Sequence, residues 1–207
     1  VLYGALTDSN KLFGYNATFR YPLRGGIQCL PDALAGRLEE GVVRTNCRVT
    51  DVDLREKTVR VAGLGEVHYD RLVNTLPLSS FLDMIGALPA PVRDARRRLR
   101  WTTVWNLNLG VARRAVTDKH WIYFPEKKFP FYRVGSSSNF SSSVAPAGHS
   151  ALYVEVARPQ GARVDKARLE EDILGGLREC GLLRRTDELS ARIWMPIEVG
   201  YVVYDFA

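Results

Sequence analysis

The stretch FRYPLRGGIQCLPDALAGRLEEGVVRTNCRVTDVD, residues 19–53, sets a glycine pair ahead of a helical pattern that gives way to a Val-rich strand. Gly25 and Gly26 have two physical uses in such a place: positive φ for a tight turn, and bare backbone against which a ligand can lie. A turn that simply needs glycine explains the pair as well as a binding role does. The Gly-x-Gly-x-x-Gly turn that marks a dinucleotide phosphate site occurs nowhere in the 207 residues. From Leu30 the apolar residues fall at Leu30, Ala33, Leu34 and Leu38, the stripe of an amphipathic helix. Pro31 and Asp32 suit its first turn, where a proline loses no hydrogen bond and a carboxylate meets the positive end of the dipole, and Gly41 stops it.

Outward from there, VVRTNCRVTDVDL, KTVRVAG and EVHYDRLVNTL are short Val-rich runs separated by charged or glycine turns, the pattern of a β-meander. The alternation changes phase between Val49 and Val52, which predicts a bulge or a strand end. LSSFLDMIGAL and PVRDARRRLR read as two helices split by Pro89 and Pro91. The second half changes character. In TTVWNLNLGVA, Trp105, Leu107, Leu109 and Val111 alternate with Asn106, Asn108 and Gly110, as in a half-buried strand. HWIYFP, FPFYRVGSS, ALYVEVAR and IWMPIEVGYVVYDF read as further strands, and residues 165–180 as one helix with Leu169, Ile173, Leu174 and Leu177 on its apolar side. GSSSNFSSSVAPAGH reads as a loop. The expectation is an α+β fold, derived from an α/β one, in three segments: a meander segment at 1–77, a helical connector at 78–100, and an antiparallel sheet backed by helices at 101–207.

Composition excludes several classes. The chain is 46% hydrophobic and 25% charged, an ordinary globular balance, and it holds neither an apolar run of roughly 18 to 20 residues nor a secretory leader, so a cytoplasmic location is expected. It starts at Val1 and stops just after the apolar run Tyr201–Tyr204, which reads as a piece of something longer. Cys29, Cys47 and Cys180 are too few and too scattered for a disulfide framework or a zinc site, and His68, His120 and His149 lack metal spacing. The net charge of +6 is concentrated in part in RDARRRLR, a run that suits acidic partners or a solvated helix face. No recognised nucleic-acid motif accompanies it, so nucleic acid is not the expected partner.

The order YP-x-x-GG-x-x-x-L-x-x-A-L-A, a strand ending R-V-x-x-V, and a meander closing on Thr75, Leu76 and Pro77 resembles the middle of flavin-containing amine oxidases and protoporphyrinogen oxidases. The likeness runs through most of the chain, and NLNLGVARR, HWIYFPE, PFYRV and LYVEVAR look like the substrate-domain sheet of the same group, including its sugar-nucleotide-mutase-like members. The resemblance implies FAD as cofactor and a small-molecule substrate. It implies that Val49 sets its backbone against the adenine, that Thr75, Leu76 and Pro77 run beside the dinucleotide, and that Gly25, Gly26, Ile27 and Gln28 lie near the flavin and substrate cavity. The family's phosphate loop and its carboxy-terminal flavin-contacting segment have no counterpart in the sequence, so the 207 residues by themselves are expected to bind FAD weakly and to self-associate through apolar faces.

A flavin does its own redox chemistry, so catalytic side chains can be few, and none is assigned from sequence. Tyr132 and Arg133 are candidates for the substrate cavity, an aromatic beside a fixed cation, although Arg133 could equally flank an edge strand. Glu155 could bind substrate, pair with Arg133, or face solvent. Asn106 and Asn108 share one strand face and could line a polar pocket or lie exposed. Three functions follow: an FAD-dependent oxidoreductase taking hydride from a C–N or C–C bond, a flavin-dependent sugar-nucleotide mutase without net redox change, or a basic non-enzymatic module acting through Arg93–Arg100.

Overall fold

A computed structural model describes residues 20–205. Two antiparallel sheets carry it, joined by two helices.

The first sheet is the expected meander: β1 (Val49–Asp53), β2 (Thr58–Val61) and β3 (Gly65–His68), in the order β1-β2-β3. The phase change in the sequence corresponds to a register shift between Val49 and Asp51. The strands are shorter than their apolar runs, because residues 42–47 and 69–77 form no ladder. Ahead of the meander, α1 spans Cys29–Ala35 and ends on Gly36, earlier than the expected stop at Gly41. Its stripe is real but uncovered: Leu30, Leu34 and Leu38 are all exposed.

The connector holds α2 (Leu78–Asp83) and α3 (Ala90–Arg98). Pro89 caps α3 and Pro91 lies inside its first turn, so the second proline starts the helix instead of separating two helices. Arg96 ties the pair together through Asp83 and the Ser79 carbonyl, each at 2.9 Å from its Nε.

The second sheet contains β4 (Trp101–Val111), β5 (Trp121–Tyr123), β6 (Arg133–Ser136), β7 (Ser150–Pro159) and β8 (Leu189–Val202), in the order β5-β6-β7-β4-β8. On one face Leu107, Leu109 and Val111 of β4 join Val134 and Leu152, Val154 and Val156 in the core. The helix α4 (Lys166–Glu179) closes over them with Leu169, Ile173, Leu174 and Leu177. Each fully buried aliphatic side chain contributes about 1.5–3 kcal/mol, which makes this contact the main source of cohesion. Asp165 caps the helix by accepting from the Arg168 N–H at 3.1 Å. The serine-rich segment forms two 3₁₀ turns, Ser137–Asn139 and Ser142–Val144. The opposite face of this sheet is open along β8, where Ile193, Met195 and Ile197 are exposed.

Candidate active site

That open face is built by alternation. Because the even positions of β4 turn away from the core, Asn106 and Asn108 lie on it, opposite Glu155 and Tyr153 of β7. Glu155 in turn lies opposite Arg133 of β6, and Arg133 opposite Tyr123 of β5. Three residues singled out in the sequence therefore meet. The Arg133 Nη2 donates to both Glu155 oxygens at 2.6 and 2.7 Å, and the Tyr132 hydroxyl donates to Glu155 Oε2. Glu155 is only 7% exposed, so it is a paired, buried carboxylate and not part of a solvated face.

Two further tyrosines complete the cluster. Arg133 Nη1 donates to the Tyr123 hydroxyl at 3.3 Å and Nη2 to the Tyr201 hydroxyl at 3.4 Å. The guanidinium also sits 5.7 Å from the Tyr123 ring centre and 5.8 Å from that of Tyr132. Neither was singled out from sequence, although Tyr123 was open to detection as the outward partner of Ile122 in WIY. Tyr201 was not, since only the pairing of β8 along β4 brings it to Arg133. Burial lowers the Arg133 pKa, but the hydrogen bonds to Glu155 and Tyr123 outweigh it and the net direction is upward. Burial, reinforced by the Glu155 carboxylate, pushes the Tyr132 hydroxyl well above an ordinary phenol. Arg133 stays cationic and Tyr132 stays protonated at any working pH.

Beside this cluster the Tyr153 ring occupies the space where a Gly135 side chain would start. A Cβ there would stand 2.1 Å from the ring, so glycine is required by close approach.

A second feature lies on the meander. Val49, Val52 and Val59, the stretch Leu72–Leu76, Phe81 and Met84 line an apolar hollow of about 500 Å³. β1 is an edge strand, and beyond its pairing with β2 its outer side receives a bond at Val52, whose N–H donates to the Met84 carbonyl at 2.9 Å. Away from Val52, a strand edge above apolar side chains fits a flat heteroaromatic ring: the side chains contact its face and the backbone groups meet its polar rim. The hollow joins Val49 with Thr75 and Leu76, while Pro77 stands next to it as the cap of α2.

The glycine turn lies elsewhere. Gly25 and Gly26 adopt φ of 81° and 64°, the left-handed region that glycine tolerates. They do not line the hollow with Val49. Instead the Leu23 carbonyl accepts from Ser141 Oγ at 2.7 Å, Tyr21 packs on Phe140 at 5.4 Å, and Gly26 faces Val144. The turn is thus fastened to the serine-rich segment of the large sheet. Ile27 is exposed, and Gln28 spends its amide on Asp32 at 2.9 Å.

Residues 4–186 match the family model described as flavin containing amine oxidoreductase. Among solved structures the chain is similar to reduced UDP-galactopyranose mutase, with 28% identity and a TM-score of 0.82 over 97% of this chain and 45% of that one. It also shares its fold with a proposed protoporphyrinogen oxidase from Exiguobacterium sp. 255-15, at 16% identity, a TM-score of 0.67 and 86% and 40% of the two chains. An oxidoreductase from Methanosarcina mazei has the same fold at 13% identity, a TM-score of 0.54 and 73% and 37% coverage. The chain spans less than half the length of each of these. With the greater part of its length matched, the chain belongs to the flavin-containing amine oxidoreductase family, whose cofactor is FAD.

Proposed function

We propose that this chain is part of a flavin-dependent enzyme that rearranges a nucleotide sugar with no net oxidation, and that it contributes one ring-binding hollow and the substrate-facing sheet. The observation that carries this reading is the likeness to UDP-galactopyranose mutase along nearly the whole chain, at higher identity than the oxidase-like structures. FAD supplies the redox-active isoalloxazine ring when bound. Val49 and the Leu72–Leu76 stretch would hold one flat ring of it.

The side chains of the large sheet suit a substrate with an anionic centre. Because Glu155 neutralises Arg133, the guanidinium is not a free cation. It acts by donating to the Tyr123 and Tyr201 hydroxyl oxygens; the Tyr123 phenol would then give its own proton to a phosphate oxygen, while the Tyr201 hydroxyl also meets that of Tyr132. Tyr132 closes the far side of Glu155 and keeps the carboxylate from the ligand. Gly25, Gly26 and Ile27, on the turn fastened to Ser141, border the same sheet from the serine-rich side, and Gln28 follows them.

The experiment is turnover of UDP-galactose by the flavin-loaded enzyme, with and without dithionite. Isomerisation that needs reduced flavin and consumes no oxidant is the expected result. Dioxygen uptake with an amine or a porphyrinogen, and no isomerisation, overturns it in favour of hydride transfer from substrate to flavin, the reading favoured by the family's oxidases.

A further inference from the structure

Two amides on the open face find no hydrogen-bond partner among the described residues. Asn106 and Asn108 turn away from the core that Leu107 and Leu109 fill, and neither side chain makes a hydrogen bond to any described residue. The Asn106 Oδ1 and Asn108 Nδ2 atoms are also shielded from solvent. Unpaired buried polar atoms cost stability and are scarce in native structures, and a functional site is one of the few places that keeps them. The other end of each amide, Asn106 Nδ2 and Asn108 Oδ1, is left toward the open face as one donor and one acceptor. A hydroxyl group, which donates and accepts at once, is the natural partner of such a pair.

The register decides what lies around them. Asn106 is flanked by Glu155 and Met195, Asn108 by Tyr153 and Ile193. Across the sheet from β5 to β8 the face therefore presents aromatic rings, then the Arg133 cation, then its partner Glu155 beside Tyr153, then two amides, then an exposed apolar edge. At about 4.8 Å per strand, Tyr123 and Asn106 stand roughly 14 Å apart. A nucleotide sugar carries its groups in the same order: a flat base, an anionic diphosphate and a neutral polyol. A hexose also has hydroxyls at its rim and a C–H face, matching the amides and the Met195 side chain.

We propose that Asn106 and Asn108 bind the hydroxyl groups of the sugar and set which sugar the site accepts. This rests on the mutase reading above, and the test separates the two. The probes are UDP and UDP-galactose, titrated calorimetrically into the flavin-loaded enzyme, its Asn106→Leu and Asn108→Leu variants, and Asn106→Asp, which keeps the shape and replaces the donor turned to the open face with an acceptor. Wild-type enzyme is expected to bind UDP-galactose more tightly than UDP. Each variant is expected to lose that preference by roughly three- to tenfold, the worth of one neutral hydrogen bond, while its affinity for UDP stays within about twofold, inside the non-additive scatter of such measurements. Leucine relieves an unpaired buried amide, so Tm of the Leu variants should hold or rise, the opposite of what a structural asparagine would give. Unchanged preference for UDP-galactose, or a fall in Tm in the Leu variants, overturns the assignment and leaves the mutase reading standing. Wild-type enzyme that binds neither probe removes both.

Discussion

Glu155 answers one guanidinium and one phenol at once, so its removal should be felt in stability and in binding together. Exposed ion pairs are worth at most about 1 kcal/mol, whereas stripping one partner from a buried pair costs about 3–5 kcal/mol. Arg133 keeps a partly exposed edge, so Glu155→Gln is expected near the low end, about 3 kcal/mol in urea unfolding, with affinity for UDP reduced as Tyr123 and Tyr201 lose their anchor. Arg113 and Asp187 form another tight pair: Arg113 Nε and Nη2 each reach a different Asp187 oxygen at 2.9 Å, and the Arg184 N–H adds a third bond. The Arg113 side chain holds the Asp187 carboxyl below its usual value. A depressed carboxylate contributes stability that is complete above its unfolded pKa, near 4, and lost as pH falls through the folded value. Tm of wild type minus Tm of Asp187→Asn should therefore be constant above about pH 5 and shrink toward pH 2; a gap that stays constant into acid would contradict this. Tyr153 on Gly135 gives a third test. Gly135→Ala forces a ring aside and should destabilise by about 1–3 kcal/mol, despite alanine's ordinary preference over glycine.

Among the elements, α4 closes the core face of the large sheet, and its energy divides unequally between end and face. Losing the Asp165 cap should cost about 1 kcal/mol, whereas Leu177→Ala opens the core beneath β4 and should cost about 2–5 kcal/mol. Chemical denaturation of the two variants checks the ratio; equal losses would mean that α4 docks less tightly than its burial implies. This helix was legible to within a residue at each end, because its 3.6 period, its cap and its core face agree. β4 and β7 were legible from their two-residue alternation, whereas β8 starts at Leu189, four residues ahead of the run read for it. The edges of the meander were not legible. Val42, Val43, Leu72 and Val73 carry strand-forming side chains, yet a strand needs a neighbour to bond, and none of the described strands pairs with those runs. Pro91 was misread for a different reason: the missing N–H that breaks a helix interior costs nothing in its first turn.

For the whole molecule the large uncovered surfaces matter most. Leu30, Leu34 and Leu38 on one side, and Ile193, Met195, Ile197 and Tyr204 on another, are exposed together. Apolar patches of this kind drive association. The 207-residue chain is expected to self-associate at micromolar concentration in light scattering; a monodisperse monomer would show that these faces are solvated without penalty. Among the described residues no helix is long and apolar enough to cross a membrane.

By itself the sequence determined whatever depends on neighbours along the chain. It gave the periods of helix and strand, the bulge after Val49, the alternation that puts Asn106 and Asn108 opposite Leu107 and Leu109, and a family likeness carried by short motifs. Tertiary structure alone decided what depends on distant segments meeting. Ninety-nine residues separate Thr102 from Tyr201, and only the pairing of β4 with β8 sets them side by side and brings Tyr201 to Arg133. The same holds for the glycine turn, whose φ values its sequence foretold but whose partner, Ser141, it did not. Local conformation is fixed by sterics within a few residues, while the choice between a solvated and a paired Glu155 is fixed by which strands the sheet places next to it.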